Sequence, residues 1–177
     1  MRGAPSPAVI ADLALHHEVR GFLHYEARLL DERRFNEWIA LFSMDVAYRA
    51  PVRVTREGKD DVSSEGELCL FDDDYGQLEL RIQGLQVRSA WAEIPPSRSR
   101  RLITNIEVER LDGDSEVQAR SNFLVYRSRL ETVEHLFVGT RTDVLHRVAG
   151  EPGWEVLRRD ILFDTVAFKT DNISLMF

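Results

Sequence analysis

The chain has 177 residues, 44% of them hydrophobic and 30% charged, with 23 lysines and arginines against 30 aspartates and glutamates, a net charge of −7. That balance fits one folded domain with room for a core. The acidic excess argues against nucleic acid, whose phosphates need a basic face, and against an anionic membrane surface. Its single cysteine, Cys69, excludes an intrachain disulfide and any zinc or iron–sulfur site built from cysteines of this chain.

One domain is expected over residues 1–177, with 1–8 as a loose tail. Met1 to Ala14 has neither a basic segment nor a long apolar one, so no signal peptide is expected and the reducing cytoplasm is the natural compartment. No apolar run approaches the ~20 residues that span a bilayer.

Val19, Phe22, Leu23, Ala27 and Leu30 recur at spacings of three and four, which predicts one face of a helix. Asp31-Glu32-Arg33 interrupts the pattern, and Phe35, Trp38, Ile39 and Phe42 predict a second helix after it. The period then becomes two. Val46, Tyr48, Ala50, Val52 and Val54 share one face of a strand and Arg49 and Arg53 the other, with Pro51 placing it at an edge or a bulge. Thr55 to Glu67 is polar and reads as a loop. Asp72, Asp73 and Asp74 can cap a third helix, whose apolar face is Tyr75, Leu78, Ile82 and Leu85.

The second half is nearly all strand. Leu102, Thr104, Ile106 and Val108 alternate with Ile103, Asn105 and Glu107, and Asp112-Gly113 is a hairpin turn signal. Alternating stretches follow over Val117–Leu130, over Val133–Thr140, and from Trp154 to about Ala167 after the turn Gly150-Glu151-Pro152-Gly153. Strands well beyond the usual ~5–6 residues must twist and curl. Helices first and a meander of strands afterwards predict an α+β fold.

The residues offer little for catalysis. His16, His17, His24, His135 and His146 do not converge: His17 and His24 share a helix face but lie ~10 Å apart along its axis at 1.5 Å per residue. Consecutive Asp72, Asp73 and Asp74 fan outwards rather than around a cation. Tyr25, Asp45, His135 and Asp160 are acid–base candidates for a pocket enzyme, but each has an ordinary capping or core-edge role available. No nucleophile, P-loop or dinucleotide motif is present. Cys69 stands among Leu68, Leu70 and Phe71 as a small apolar side chain.

A partner surface is the better reading. Arg98, Arg100 and Arg101 follow Trp91 and Pro95-Pro96 on an acidic chain, and Trp and Arg are enriched at interface hot spots. Arg127 and Arg129 alternate after Phe123 and Val125, a mixture typical of an interface. The ending Asn172 to Phe177 is apolar enough to be packed. The interface candidates are therefore Asp72, Asp73, Asp74, Trp91, Arg98, Arg100, Arg101, Arg127, Arg129 and Phe177; no catalytic, cofactor or metal residue is assigned.

Several blocks in order resemble one family: Glu26 to Asp31, Asp45 to Val54, Phe71 to Asp74, Trp91 to Asn105, Asn122 to Leu130, Val138-Gly139, Arg158 to Asp164 and Asn172 to Phe177. Together they resemble the small (beta) subunit of aromatic-ring-hydroxylating dioxygenases, nearest its biphenyl, toluene and polycyclic hydrocarbon branch. The resemblance implies a cystatin-like or nuclear-transport-factor-2-like cone, a curled antiparallel sheet packed on three helices. It implies a non-catalytic chain partnered with an alpha subunit that holds a Rieske [2Fe-2S] cluster and a mononuclear Fe(II), in an α3β3 hexamer with a beta trimer. The holoenzyme converts an aromatic hydrocarbon to a cis-dihydrodiol with dioxygen and NADH-derived electrons passed through a reductase and a ferredoxin. The alternative from another class is a stand-alone isomerase or dehydratase of the same cone fold, with an acid–base pair in its pocket.

Overall fold

The stripe of Val19, Phe22, Leu23, Ala27 and Leu30 is the buried side of α1 (Leu13–Asp31), as its spacing predicts. The computed structural model describes residues 13–56, 59–62, 68–91, 97–111, 115–129, 133–165 and 175–177, with the backbone alone at 53–56, 59–62, 88–91 and 133. The helix closes with two crossed bonds, Arg34 N–H to Leu29 O at 2.8 Å and Arg33 N–H to Leu30 O at 3.2 Å. Arg33 sits between them at φ 60°, in the left-handed position that such a closure requires and that usually belongs to glycine.

The second predicted helix is only partly helix. α2 (Phe35–Ile39) is five residues long, and Phe42 opens β1 (Phe42–Pro51). The error came from a spacing that tertiary packing also produces: Trp38 and Phe42 lie in different elements, yet their rings are 4.5 Å apart. On β1 Val46, Tyr48 and Ala50 face inward, as expected, but the strand ends at Pro51, so Val52 lies outside it and Val54 falls in the next strand. Pro51 is at a bulge, since the register shifts between Ala50 and Pro51, and not on an edge strand. Part of the expected loop over 55–67 is also strand: β2 (Arg53–Arg56) and β3 (Lys59–Val62) pair as an antiparallel hairpin.

β4 (Cys69–Asp73) takes in Asp72 and Asp73, so only Asp74 caps α3 (Tyr75–Trp91). Asp74 Oδ1 accepts the Gln77 N–H at 2.8 Å while Gln77 Oε1 accepts the Asp74 N–H at 2.8 Å, a reciprocal capping box. Leu78 and Ile82 are buried, with Tyr75 and Leu85 packed beside them, as the periodicity predicts.

β5 (Arg98–Arg110), β6 (Glu116–Arg129), β7 (Val133–Arg147) and β8 (Trp154–Phe163) complete one six-stranded sheet in the order β4-β1-β8-β7-β6-β5. All pairs are antiparallel except β1 with β8, which is parallel, so the sheet is mixed. α1 packs against β5 and α3 against β1, leaving the apolar core between the helices and the curled inner face. The alternation predicted for β5 breaks at Asn105, φ 53°, where the register slips between Thr104 and Glu107. Ile103 therefore shares the core side with Ile106 and Val108, and Leu102 and Thr104 face out. β7 continues past the expected Thr140 to Arg147. Gly150 (φ 87°) and Gly153 (φ 83°) supply the left-handed corners of the expected turn. The tail 1–8, Asp112-Gly113 and the stretch beyond 165 up to 174 lie outside the described residues.

Candidate functional site

The inner face of the sheet carries charge where an apolar residue is the rule. On β7 the inward row runs Phe137, Gly139, Arg141, Asp143, Leu145, and on β8 it runs Arg159, Ile161, Phe163. Glu26 joins them from the buried side of α1. The side chains of Glu26, Arg141, Asp143 and Arg159 are 0–2% exposed. Glu26 Oε1 accepts from Trp38 Nε1 at 2.6 Å and from Arg159 Nη1 at 2.8 Å, and Oε2 lies 3.1 Å from Arg141 Nη1. Asp143 Oδ1 accepts from Arg159 Nε at 2.6 Å, and Oδ2 lies 3.0 Å from Arg141 Nε. Two guanidiniums and two carboxylates thus close a neutral ring in the core.

The electrostatics follow. Burial pushes the Glu26 carboxyl up, but Arg141 and Arg159 outweigh it and hold its pKa at about 2. Burial works against the Arg159 charge, while Asp143 and Glu26 raise its pKa above the ordinary value. A general base needs a free lone pair and a pKa near the working pH. The Glu26 carboxyl, held at about 2 between two guanidiniums, is far from that range.

Arg159 of the ring also reaches the backbone of Phe177. The main-chain oxygen of Phe177 accepts from Tyr48 Oη at 2.7 Å and from Arg159 Nη1 at 3.0 Å, and the Phe177 N–H donates back to Tyr48 Oη at 2.9 Å. Arg101 Nη2 reaches Met176 O at 2.7 Å, and Arg81 Nη2 reaches Leu175 O at 3.2 Å. The Phe177 ring lies 5.9, 5.3 and 4.9 Å from Phe123, Phe137 and Phe163. The centre of the cone is occupied by the protein itself.

The interface candidates fall into two groups. Arg98 and Arg100 are exposed on β5. Asp72 is exposed and bound by Arg49, and Asp73 is bound by Arg81. Asp74 is the helix cap. Arg101 turns inward instead, its Nη1 2.8 Å from Asp31 Oδ1. Arg127 is buried with its Nε 3.1 Å from Ser97 Oγ, Arg129 is half-buried, and Phe177 is in the core. Trp91 ends α3, and its side chain is outside the described residues. The acid–base candidates scatter. Asp160 pairs with Arg158 on the outer face, and His135 stands in the inner row of β7 beside Phe137. Tyr25 lies under Arg28, and Asp45 is exposed.

Sequence reasoning missed Glu26, Arg141, Asp143 and Arg159. The available signal was parity: each is a charged residue at a position whose strand or helix neighbours are core. Among the described residues, no three His, Cys, Asp or Glu side chains converge as a metal site. A Rieske cluster, which needs two cysteines and two histidines, does not fit a chain whose one cysteine is Cys69.

Residues 25–170 match the family of ring hydroxylating beta subunits. The chain belongs to that family. It is 38% identical over 174 residues to the benzene 1,2-dioxygenase subunit beta of Pseudomonas putida, covering 97% of this chain and 92% of that protein. It is 36% identical over 179 residues to the biphenyl 2,3-dioxygenase subunit beta of Rhodococcus jostii, covering 99% and 94%. In fold it is similar to a naphthalene 1,2-dioxygenase chain solved with indole bound in the active site, with a TM-score of 0.82 at 24% identity, covering 94% and 87%.

Proposed function

We propose that this chain is the beta subunit of the terminal oxygenase of an aromatic-ring-hydroxylating dioxygenase. It supports assembly, and an alpha subunit carrying the Rieske [2Fe-2S] cluster and mononuclear Fe(II) converts an aromatic hydrocarbon to a cis-dihydrodiol. The observation that carries this reading is the match to dioxygenase beta subunits along nearly the whole chain. The filled cone supports the non-catalytic part of it, because Phe177 and the Glu26–Arg141–Asp143–Arg159 ring stand where a pocket enzyme needs space.

The outer face supports an assembled chain. Leu102, Leu124 and Val138 are cross-strand neighbours, and Leu136 follows in the next row opposite Tyr126. Leu102, Leu136 and Val138 are 54%, 63% and 43% exposed, and a contiguous apolar patch on a sheet face marks a contact surface. Arg98 and Arg100 border it on β5, which makes them the interface candidates best placed to meet a partner. An α3β3 hexamer with a beta trimer, electron supply through a ferredoxin and a reductase, and a cytoplasmic location complete the proposal. No described helix is long and apolar enough to cross a membrane.

The test is coexpression with a dioxygenase alpha subunit. The expected result is no dihydrodiol from this chain alone and turnover of benzene or biphenyl by the complex, with a sedimentation mass of three copies of each chain. Turnover by the chain alone, or failure to associate with an active alpha subunit, overturns the proposal.

A further inference from the structure

Where the end of α1 meets the start of β5, the chain forms a cavity of about 40 Å³. A water needs ~10–15 Å³ by this measure, so the space suits a few waters or one small oxyanion. One wall is apolar, and the other is formed by Arg33, Arg101, Arg127, Ser97 and Ser99. No carboxylate is among the described residues that line it.

The donors are placed by the fold. Arg101 is 4% exposed in its side chain. Its Nη1 serves Asp31 and Ser99 and its Nη2 serves Met176 O, but its buried Nε has no acceptor among the described residues. Arg127 is buried beside Ser97. Arg33 lies over the Phe35 ring at 5.7 Å and makes no ion pair among the described residues. It occupies the left-handed position that closes α1, an unusual place for a long side chain. Among the described residues, Arg33 and Arg101 put two guanidiniums beside the one carboxylate of Asp31, on a chain of net charge −7.

We propose that this cavity binds a small free oxyanion of the phosphate, sulfate or carboxylate type. Guanidinium forks and serine hydroxyls are the donors such an anion takes, and the orphan Arg101 Nε–H gains an acceptor. The proposal is independent of the subunit reading, because every residue it uses belongs to this chain.

The test uses the purified full chain at constant ionic strength, with sodium chloride replaced stepwise by sodium phosphate, sulfate or acetate. Thermal unfolding and titration calorimetry are read together. The expected result is 1:1 binding, with the unfolding midpoint raised by about 3–6 °C at ten times the half-saturating concentration. Arg33→Gln, which breaks no ion pair among the described residues, should keep the anion-free midpoint and weaken binding at least ten-fold; Arg33→Lys should fall between. Absence of binding above the chloride control by the wild-type chain overturns the proposal, whatever the variants do. An equal midpoint shift in Arg33→Gln also overturns it, since the effect is then general screening.

Discussion

Glu26 shows how a single buried charge is kept. Alone on the core side of α1 its carboxylate would be expelled, but Arg141 and Arg159 surround it and Trp38 donates to it. Removing one member of a buried pair leaves its partner uncompensated, at about 3–5 kcal/mol. Glu26→Gln is therefore expected to lower the urea midpoint at pH 7 by that much stability. The pH dependence has a definite sign. The folded-state pKa of about 2 is below the ordinary 4.5, so the stabilisation is present above about pH 4.5 and is lost as pH falls toward 2. Urea midpoints measured between pH 7 and pH 3 should fall more steeply for the wild type than for Glu26→Gln. Parallel slopes would show that Glu26 does not carry this linkage.

At the scale of elements, the fold is set by caps, bulges and one close approach. Asp74→Ala removes the acceptor of the Gln77 N–H and should cost about 1 kcal/mol, read as a lower denaturant midpoint with an unchanged slope. Gly139 is where β7 passes tightly over β8: a Cβ there would overlap the Leu162 carbonyl oxygen and press on the Phe123 ring and the Phe163 backbone. Gly139→Ala should destabilise by several kcal/mol, within the range of severe overpacking, and near-wild-type thermal unfolding would show that β8 can yield. The bulge at Asn105 fixes which β5 residues meet α1, and His16 Nε2 lies 2.9 Å from Ile106 O just beyond it. None of these strand contacts is visible as periodicity, because each depends on a segment distant in sequence.

At the scale of the molecule, the buried core and the exposed apolar outer row call for different tests. Leu136→Asp changes an exposed side chain, so its stability should stay within about 0.5 kcal/mol of wild type. Its association with the alpha subunit, or with further copies of itself, should weaken at least ten-fold by sedimentation. Arg98→Glu with Arg100→Glu should behave the same way. Arg101→Glu should instead unfold the chain, since it places a second carboxylate against Asp31. An intact hexamer from Leu136→Asp would remove the outer row from the interface.

The sequence by itself determined α1, the capped α3, the inward row of β1 and the four long strands, because each rests on a local period of 3.6 or 2 and on turn residues within a few positions. It also carried the family, since ordered blocks along the chain are a one-dimensional property. Tertiary structure alone decided the rest. Phe42 became strand although its spacing fits a helix, since its ring packs on Trp38 from β1 as well as it would from one turn along. The parallel pairing of β1 with β8, and the slip at Asn105, join segments far apart in the chain. Nothing in the sequence pairs Glu26, Arg141, Asp143 and Arg159; only folding brings two cations and two anions together and makes their burial tolerable.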